Sequence, residues 1–342
     1  MGFLDNVFDS LAGFTDTVFY KENSDLQSRF DALKQLNEEF PDNDSLLSEL
    51  FIIKKGLEGE NEIAYQLKKA HIGMYVLRDV KVKYEDLTAQ IDYVIVTPVY
   101  DYFVECKNLV GNITVTDKGD FIREFTINGK KIKKGMYSPL RQVEAQREVV
   151  RKIWESNLSS FIKFLASKNF EYYKRVLVVA ANQETILNTY KAPKEMKYKV
   201  LRADALVRQI EYDLDHKADN DPHFTKKDME KTAQYYIDIS CNEEINYYDY
   251  YKEKFSLISG NNNSEEKPQP VSSNEELREK MLAFRKSRST ELKIPAYYVF
   301  TNDELEKLLE IKPTTIEQLK SANILSPVKI KTHGQQIIDI LK

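Results

Sequence analysis

The sequence predicts an α/β protein, a mixed sheet flanked by helices, with a small all-α bundle following it. Three observations carry this. Hydrophobic spacing runs helix, three strands, helix, strand, helix over the first 210 or so residues. A polar stretch from Ser259 to Asn274, with glycine, a run of three asparagines, serines, acids and two prolines, has a linker's composition. Everything beyond it, Glu275 to Lys342, is helical in pattern.

Taken in order, Phe3, Leu4, Val7, Phe8, Leu11 and Phe14 recur at helical spacing, as in a helix packed on the protein's own core or one facing a membrane surface or partner. Asp25 to Lys55 reads as helix through Leu26, Phe30, Leu33, Leu36, Leu46, Leu47 and Leu50, broken in two by Pro41. A further helix is expected to start at Gly56 and run to Lys69. The period then changes, and Tyr75–Val82, Gln90–Val96 and Tyr102–Cys106 read as strands. Ser138 to about Phe164 is expected as helix, Arg175–Ala180 as a buried strand and Leu201–Ile210 as a short helix. Residues 213–258 are polar and rich in tyrosine, with no evident role.

The chain has 342 residues, 42% hydrophobic and 30% charged, the composition of an ordinary globular protein with more than one core. No stretch approaches the roughly 20 apolar residues of a membrane span. Met1 to Phe19 shows no basic region before an apolar one, and Asn6 stands where a myristoylation site has Ser or Thr. Two cysteines, Cys106 and Cys241, build no disulfide framework, and four scattered histidines suggest no structural zinc site. A cytoplasmic setting is therefore expected. A net charge of −4 argues against a general nucleic-acid coat protein, so any nucleic-acid contact must come from local patches.

Asp92 stands near the start of one expected strand and Glu105 near the end of the next. Antiparallel pairing puts both at one edge of the sheet. Glu105 and Lys107 share a face by strand alternation, while Cys106 points away into the core. Two carboxylates and a lysine on one face suit Mg²⁺, which takes hard oxygen ligands and keeps several waters. The lysine could position an attacking water or stabilise charge growing on a phosphate. Glu60, on the preceding helix, could reach the same metal, and Gln90 shares Asp92's face. The same spacing also describes a solvated polar sheet face.

The strings Gly56-Leu57-Glu58-Gly59-Glu60, Val76-Leu77-Arg78-Asp79-Val80, Gln90-Ile91-Asp92-Tyr93, Glu105-Cys106-Lys107-Asn108 and Gly111-Asn112-Ile113 together resemble the nuclease-related domain (NERD). That family is similar to the PD-(D/E)xK nucleases of restriction-endonuclease-like fold. The resemblance covers roughly Glu49 to Tyr190. It implies catalytic Glu60, Asp92, Glu105 and Lys107, with Glu60, Asp92 and Glu105 holding Mg²⁺ or, as a substitute, Mn²⁺. Cys106 takes a position where the family commonly has a small or hydroxyl residue. Ser138-Pro139-Leu140-Arg141-Gln142 resembles a later helix start whose glutamine faces the site, which makes Gln142 and Gln90 supporting residues; an exposed helix glutamine is the other reading of Gln142. Lys130, Lys131, Lys133 and Lys134, presented by a turn at Asn128-Gly129, form either a clamp for a phosphate backbone or a solvated basic loop.

Leu277 to Arg285, Ile294 to Leu305, Pro313 to Leu319, His333-Gly334 and Ile337-Ile338 resemble the HRDC domain, a helical bundle found at the ends of RecQ-like helicases and RNase D. Thr301 or Asn302, and Thr314 or Thr315, supply helix caps, and Asn323 replaces the usual glycine. The expected organisation is a helical segment at 1–48, a NERD-like domain at 49–212, an extension at 213–258, a linker at 259–274 and an HRDC-like domain at 275–342. The resemblances imply a metal-dependent nuclease acting on DNA more readily than RNA, in processing, repair or defence. The HRDC-like domain would contact nucleic acid or a partner protein. The alternatives are an inactive binding or scaffold protein within a larger DNA-processing complex, and a nuclease active only inside such a complex.

Overall fold

The computed structural model describes residues 14–41, 43–127, 129–159, 169–241, 245–257, 273–292, 299–300, 302–322 and 324–341. The chain divides into two compact units, Met1–Ser259 and Gly260–Lys342. The apolar series from Phe3 to Leu11 and nearly all of the polar linker lie outside the described residues.

The first unit is mixed α/β. Its main sheet has six strands, β1 (Thr17–Lys21), β2 (Met74–Tyr84), β3 (Leu87–Val96), β4 (Asp101–Lys107), β8 (Lys174–Ala180) and β10 (Val200–Arg202), in the order β1-β2-β3-β4-β8-β10. β2–β3 and β3–β4 are antiparallel, and the other neighbours are parallel. Four further strands, β5 (Asn112–Val115), β6 (Phe121–Ile127), β7 (Lys130–Met136) and β9 (Leu187–Asn188), form a second sheet in the order β7-β6-β5-β9. β6 and β7 close on each other with Ile127 opposite Lys130. The turn is two residues long, and its Gly129 has φ of 76°, the left-handed backbone that such hairpins require. Asn128 lies outside the described residues.

Helices cover both faces of the main sheet. On one face Leu77, Val94, Phe103 and Val178 pack with Val143 and Val150 of α3 (Pro139–Ser156) and with Met229 and Tyr236 of α7 (Lys226–Asp238). On the other, Val76, Ile95, Val104 and Val179 pack with Ile63 and Leu67 of α2 (Asp44–Lys68) and Leu206 and Ile210 of α6 (Ala203–Asp215). Two short helices, α4 (Phe170–Tyr173) and α5 (Lys194–Lys197), lie in connections. α1 (Asp25–Glu39), α2 and α8 (Tyr247–Lys254) share a smaller core of Leu33, Leu36, Leu46, Ile53 and Tyr251. The tyrosine-rich region is thus part of this unit: Tyr236 and Tyr251 are buried, and the Tyr236 hydroxyl donates to Asp101 at 2.6 Å.

The break expected around Pro41 is present, with Ser24 capping α1 and Asn43 capping α2 by accepting from Leu26 N and Leu46 N. The fresh helix start expected at Gly56 is not. α2 runs unbroken for 25 residues through Gly56 and Gly59, because both glycines sit where another side chain presses on the helix. A Cβ at Gly56 would lie 3.1 Å from Leu26 Cδ1, and one at Gly59 would lie 2.5 Å from Asn108 Cβ and 3.1 Å from Cys106 Sγ. The chain after Ser138 is helical to Ser156, short of the expected Phe164, and 160–168 lies outside the described residues. Val200–Arg202 is an edge strand, so the helix expected from Leu201 starts at Ala203.

The β2–β3 ladder carries one irregularity. Arg78 pairs Tyr93 and Val80 pairs Ile91, but the intervening Asp79 and Asp92 do not pair. Asp79 has φ of 52°. Leu77 and Val80, three apart, lie on the same face, as do Val94 and Ile91. Both strands therefore swap faces at this step.

The second unit is helical: α9 (Ser273–Leu292), α10 (Asn302–Ile311), α11 (Ile316–Ser321) and α12 (Pro327–Leu341). Their core includes Met281, Phe300, Leu305, Leu319 and Ile337. Thr315 caps α11 by accepting from Gln318 N at 3.2 Å, while Thr301 and Asn323 lie outside the described residues.

Gly59 holds α2 against the end of β4, and this contact brings Glu60 to the sheet. Gly59→Ala is expected to destabilise the first unit by about 1–3 kcal/mol, as overpacking of a filled contact does. Urea unfolding followed by circular dichroism checks this; an unchanged midpoint would show that the helix can shift away from β4 freely.

Candidate active site

The β3–β4 ladder ends at Tyr93 opposite Val104. One step further along the same register, Asp92 stands opposite Glu105, and no backbone ladder joins them. The Asp92 carboxylate takes over, accepting from Cys106 N at 2.7 Å. β4 continues its parallel pairing with β8 through Glu105 opposite Val178 and Lys107 opposite Ala180. Glu105 is thus fixed by β4's pairing with β8 and is only 2% exposed.

Lys107 donates to the Glu105 carboxylate in a short ion pair and to Gln142 Oε1 at 3.1 Å. Gln142 lies in the first turn of α3, whose start is fixed by Ser138 accepting from Arg141 N and by Pro139 in the first turn. One turn later, Gln146 donates Nε2 to Glu105 Oε2 at 3.0 Å and to the Gln90 carbonyl at 2.7 Å. Its Oε1 is buried without a hydrogen-bond partner. Sequence reasoning picked Gln142 and passed over Gln146; positions four apart share a helix face, which was the available signal.

Glu60 is 4% exposed and lines the same cleft as Asp92, Gln90, Gln142 and Gln146. Its carboxylate is taken by Arg78, whose Nη2 donates to Glu60 Oε2 at 3.0 Å and to Asn61 Oδ1 at 3.1 Å. Arg78 also lies over the Tyr93 ring, and the Tyr93 hydroxyl donates to the Glu60 carbonyl at 2.6 Å. Sequence reasoning gave Arg78 no role. The Gln90 side chain turns to Asp79, donating at 2.6 Å, and contributes its carbonyl to Gln146 instead. Asn108 donates to the Lys55 carbonyl at 2.6 Å, a second tie between α2 and the end of β4. The four lysines of β7 are exposed, and Lys133 pairs with Glu124 at 2.7 Å.

The site is electrostatically tense. Burial lifts the Asp92 carboxyl well above the usual carboxylate range and the Glu105 charge lifts it further, while the Cys106 N–H opposes both. Burial also raises Glu60, against the Ser24 hydroxyl and Arg78. Burial, and then the Asp92 charge, push the Cys106 thiol well up, so it stays neutral and packs beside Gly59. Among the described residues, no three His, Cys, Asp or Glu side chains converge into a ready-made metal shell. The donor set still suits a hard divalent cation. Two opposed carboxylates are relieved by a retained proton or by a cation, and Mg²⁺ commonly takes one or two protein carboxylates and completes its shell with water and phosphate oxygens.

A family model described as the nuclease-related domain matches residues 55–179, which contain Glu60, Asp92, Glu105 and Lys107. A model described as the HRDC domain matches residues 274–341. The chain joins a nuclease-related domain to an HRDC domain. Among solved structures, the D. radiodurans RecQ HRDC domain 3 is similar to 20% of this chain, over 92% of its own length, at 31% identity and a TM-score of 0.20. Comparison with curated proteins found no match. Among the described residues, no helix of this NERD–HRDC chain is long and apolar enough to cross a membrane.

A raised Asp92 carboxyl has a consequence for stability. The folded state holds that proton more tightly than the unfolded chain, so stability falls as pH rises from the ordinary carboxylate range through the folded value. Asp92→Asn keeps an acceptor for Cys106 N and removes the charge. In EDTA at pH 7.5 the variant is expected to melt above the wild type, the difference shrinking as pH is lowered toward 4. A variant that melts lower at pH 7.5 would mean that the charge stabilises the fold.

Proposed function

We propose that this protein is a metal-dependent nuclease that hydrolyses phosphodiester bonds, in DNA before RNA, and that its HRDC domain helps to recruit nucleic acid. The observation that carries this is the opposed pair Asp92 and Glu105 with Lys107 held between Glu105 and Gln142. In this reading Asp92 and Glu105 hold Mg²⁺ or Mn²⁺, and Glu60 is an accessory acid whose charge Arg78 balances. The bound cation offsets phosphate charge and makes coordinated water more acidic.

The chain's own residues do the rest. Lys107 presents its ammonium to the attacking water and to the charge that grows on the phosphate, as a proton-bearing group fixed in place before reaction. Gln142 keeps the ammonium from folding wholly onto Glu105. Gln146 fixes one Glu105 oxygen, which directs the other toward Lys107. The exposed lysines of β7 offer the phosphate backbone a cationic strip, which supplies affinity without base preference.

Incubating the purified full chain with labelled DNA and RNA, in Mg²⁺ or Mn²⁺ and in EDTA, tests the proposal. Metal-dependent cleavage is expected, with Lys107→Ala slower by about 10²-fold or more. Gln146→Ala, which frees rather than removes a metal carboxylate, is expected to lose about 10- to 100-fold. Equal cleavage by wild type and Lys107→Ala would sink the site. Binding without cleavage under every condition would instead mark an inactive binding protein of a DNA-processing complex.

A further inference from the structure

The cleft that holds Asp92 has a volume of about 740 Å³, within the size range of sites that enclose small organic groups. Its walls are not those of a pure phosphate groove. Leu26, Leu87, Ala89 and Val149 line it together with Tyr137. Tyr137 is 73% exposed and Leu87 45%; other tyrosines of the unit are exposed too, Tyr190 at 83%, but Tyr137 is the one that lines this cleft. The backbone on either side of Tyr137 is tied down. Met136 before it pairs with Phe121 across the β6–β7 ladder, and Ser138 after it caps α3. An exposed aromatic ring whose backbone is held between a lysine-bearing strand and the helix that carries Gln142 offers a flat apolar surface at the cleft.

A paired duplex keeps the faces of its bases stacked inside and presents phosphates and groove edges to a protein. Only an unpaired base can lie on an aromatic ring. We propose that nucleic acid occupies this cleft as a single strand, with one base stacked on Tyr137 and the neighbouring backbone carried along the cleft toward Asp92 and Lys107. The path toward Asp92 and Lys107 rests on the nuclease reading; the stacking on Tyr137 stands without it.

The test is equilibrium binding of the full chain in EDTA, where nothing is cut. A fluorescent single-stranded DNA is compared with the blunt duplex of the same sequence, and a single strand carrying 2-aminopurine reports stacking directly. The single strand is expected to bind at least about tenfold more tightly than the duplex, and 2-aminopurine fluorescence to be quenched on binding. Tyr137→Ala should weaken single-strand binding roughly 5- to 100-fold, the span of base–aromatic stacking, abolish the quenching and leave duplex binding unchanged. Tyr137→Phe should retain both. The ring is exposed, so matching melting temperatures will show that the variants are folded. Duplex binding as tight as single-strand binding, an unaffected Tyr137→Ala, or an equal loss on both DNAs would overturn the proposal. Quenching through Tyr137 in a protein that never cleaves would reject the nuclease reading and keep this one. Cleavage with Tyr137→Ala behaving as wild type would do the reverse.

Discussion

The candidate site depends on one interruption in the sheet, the unpaired step where Asp79 faces Asp92 between two regular stretches of the β2–β3 ladder. A non-glycine residue at positive φ costs of order 1–3 kcal/mol and persists only when its surroundings enforce it. Here they do. Asp79 accepts from Gln90 and from the N–H of Asp25, while its carbonyl and that of Arg78 accept from Lys21. In exchange, both strands swap faces at this step. Arg78 reaches Glu60 on the α2 side, and Asp92 is released from the ladder to meet Cys106 N and stand opposite Glu105. A regular strand would pair Asp92 through its backbone on both sides and leave no break at which cleft and sheet meet.

The charges around this step are arranged in two layers. Arg78 neutralises Glu60 in a buried, hydrogen-bonded pair stacked on Tyr93, where removing one partner would strand the other. Asp92 and Glu105 are less well compensated: one N–H for the first, Lys107 and Gln146 for the second. The inner pair is held by Arg78 Nη2 although Arg78 Nε is buried without a partner, while the outer pair keeps a deficit of positive charge beside an open cleft. That deficit, together with the partnerless Gln146 oxygen, is what a cation would meet.

Strand alternation and hairpin length made Asp92, Glu105 and Lys107 legible as neighbours in the sequence, because those rules are local. The face swap was not legible, since a single left-handed aspartate leaves no periodic signature when the apolar residues resume three positions later. Arg78 was hidden for the same reason: alternation alone does not show that it points at α2. Gly56 read as a helix start because glycine usually punctuates, whereas here Leu26, distant in sequence, leaves no space for a Cβ. The tyrosine-rich region read as obscure because its partners, Asp101 for Tyr236 and Arg29 for Tyr251, lie far away along the chain. Thr315 shows the opposite case, a cap whose chemistry acts within three residues.

The proposed divalent-cation site is formed by Asp92 and Glu105 together, with Glu60 held apart by Arg78. Electron paramagnetic resonance of Mn²⁺ titrated into the full chain tests it most directly. The account predicts one bound Mn²⁺ per chain that both Asp92→Asn and Glu105→Gln abolish. Binding that survives in either variant would contradict it.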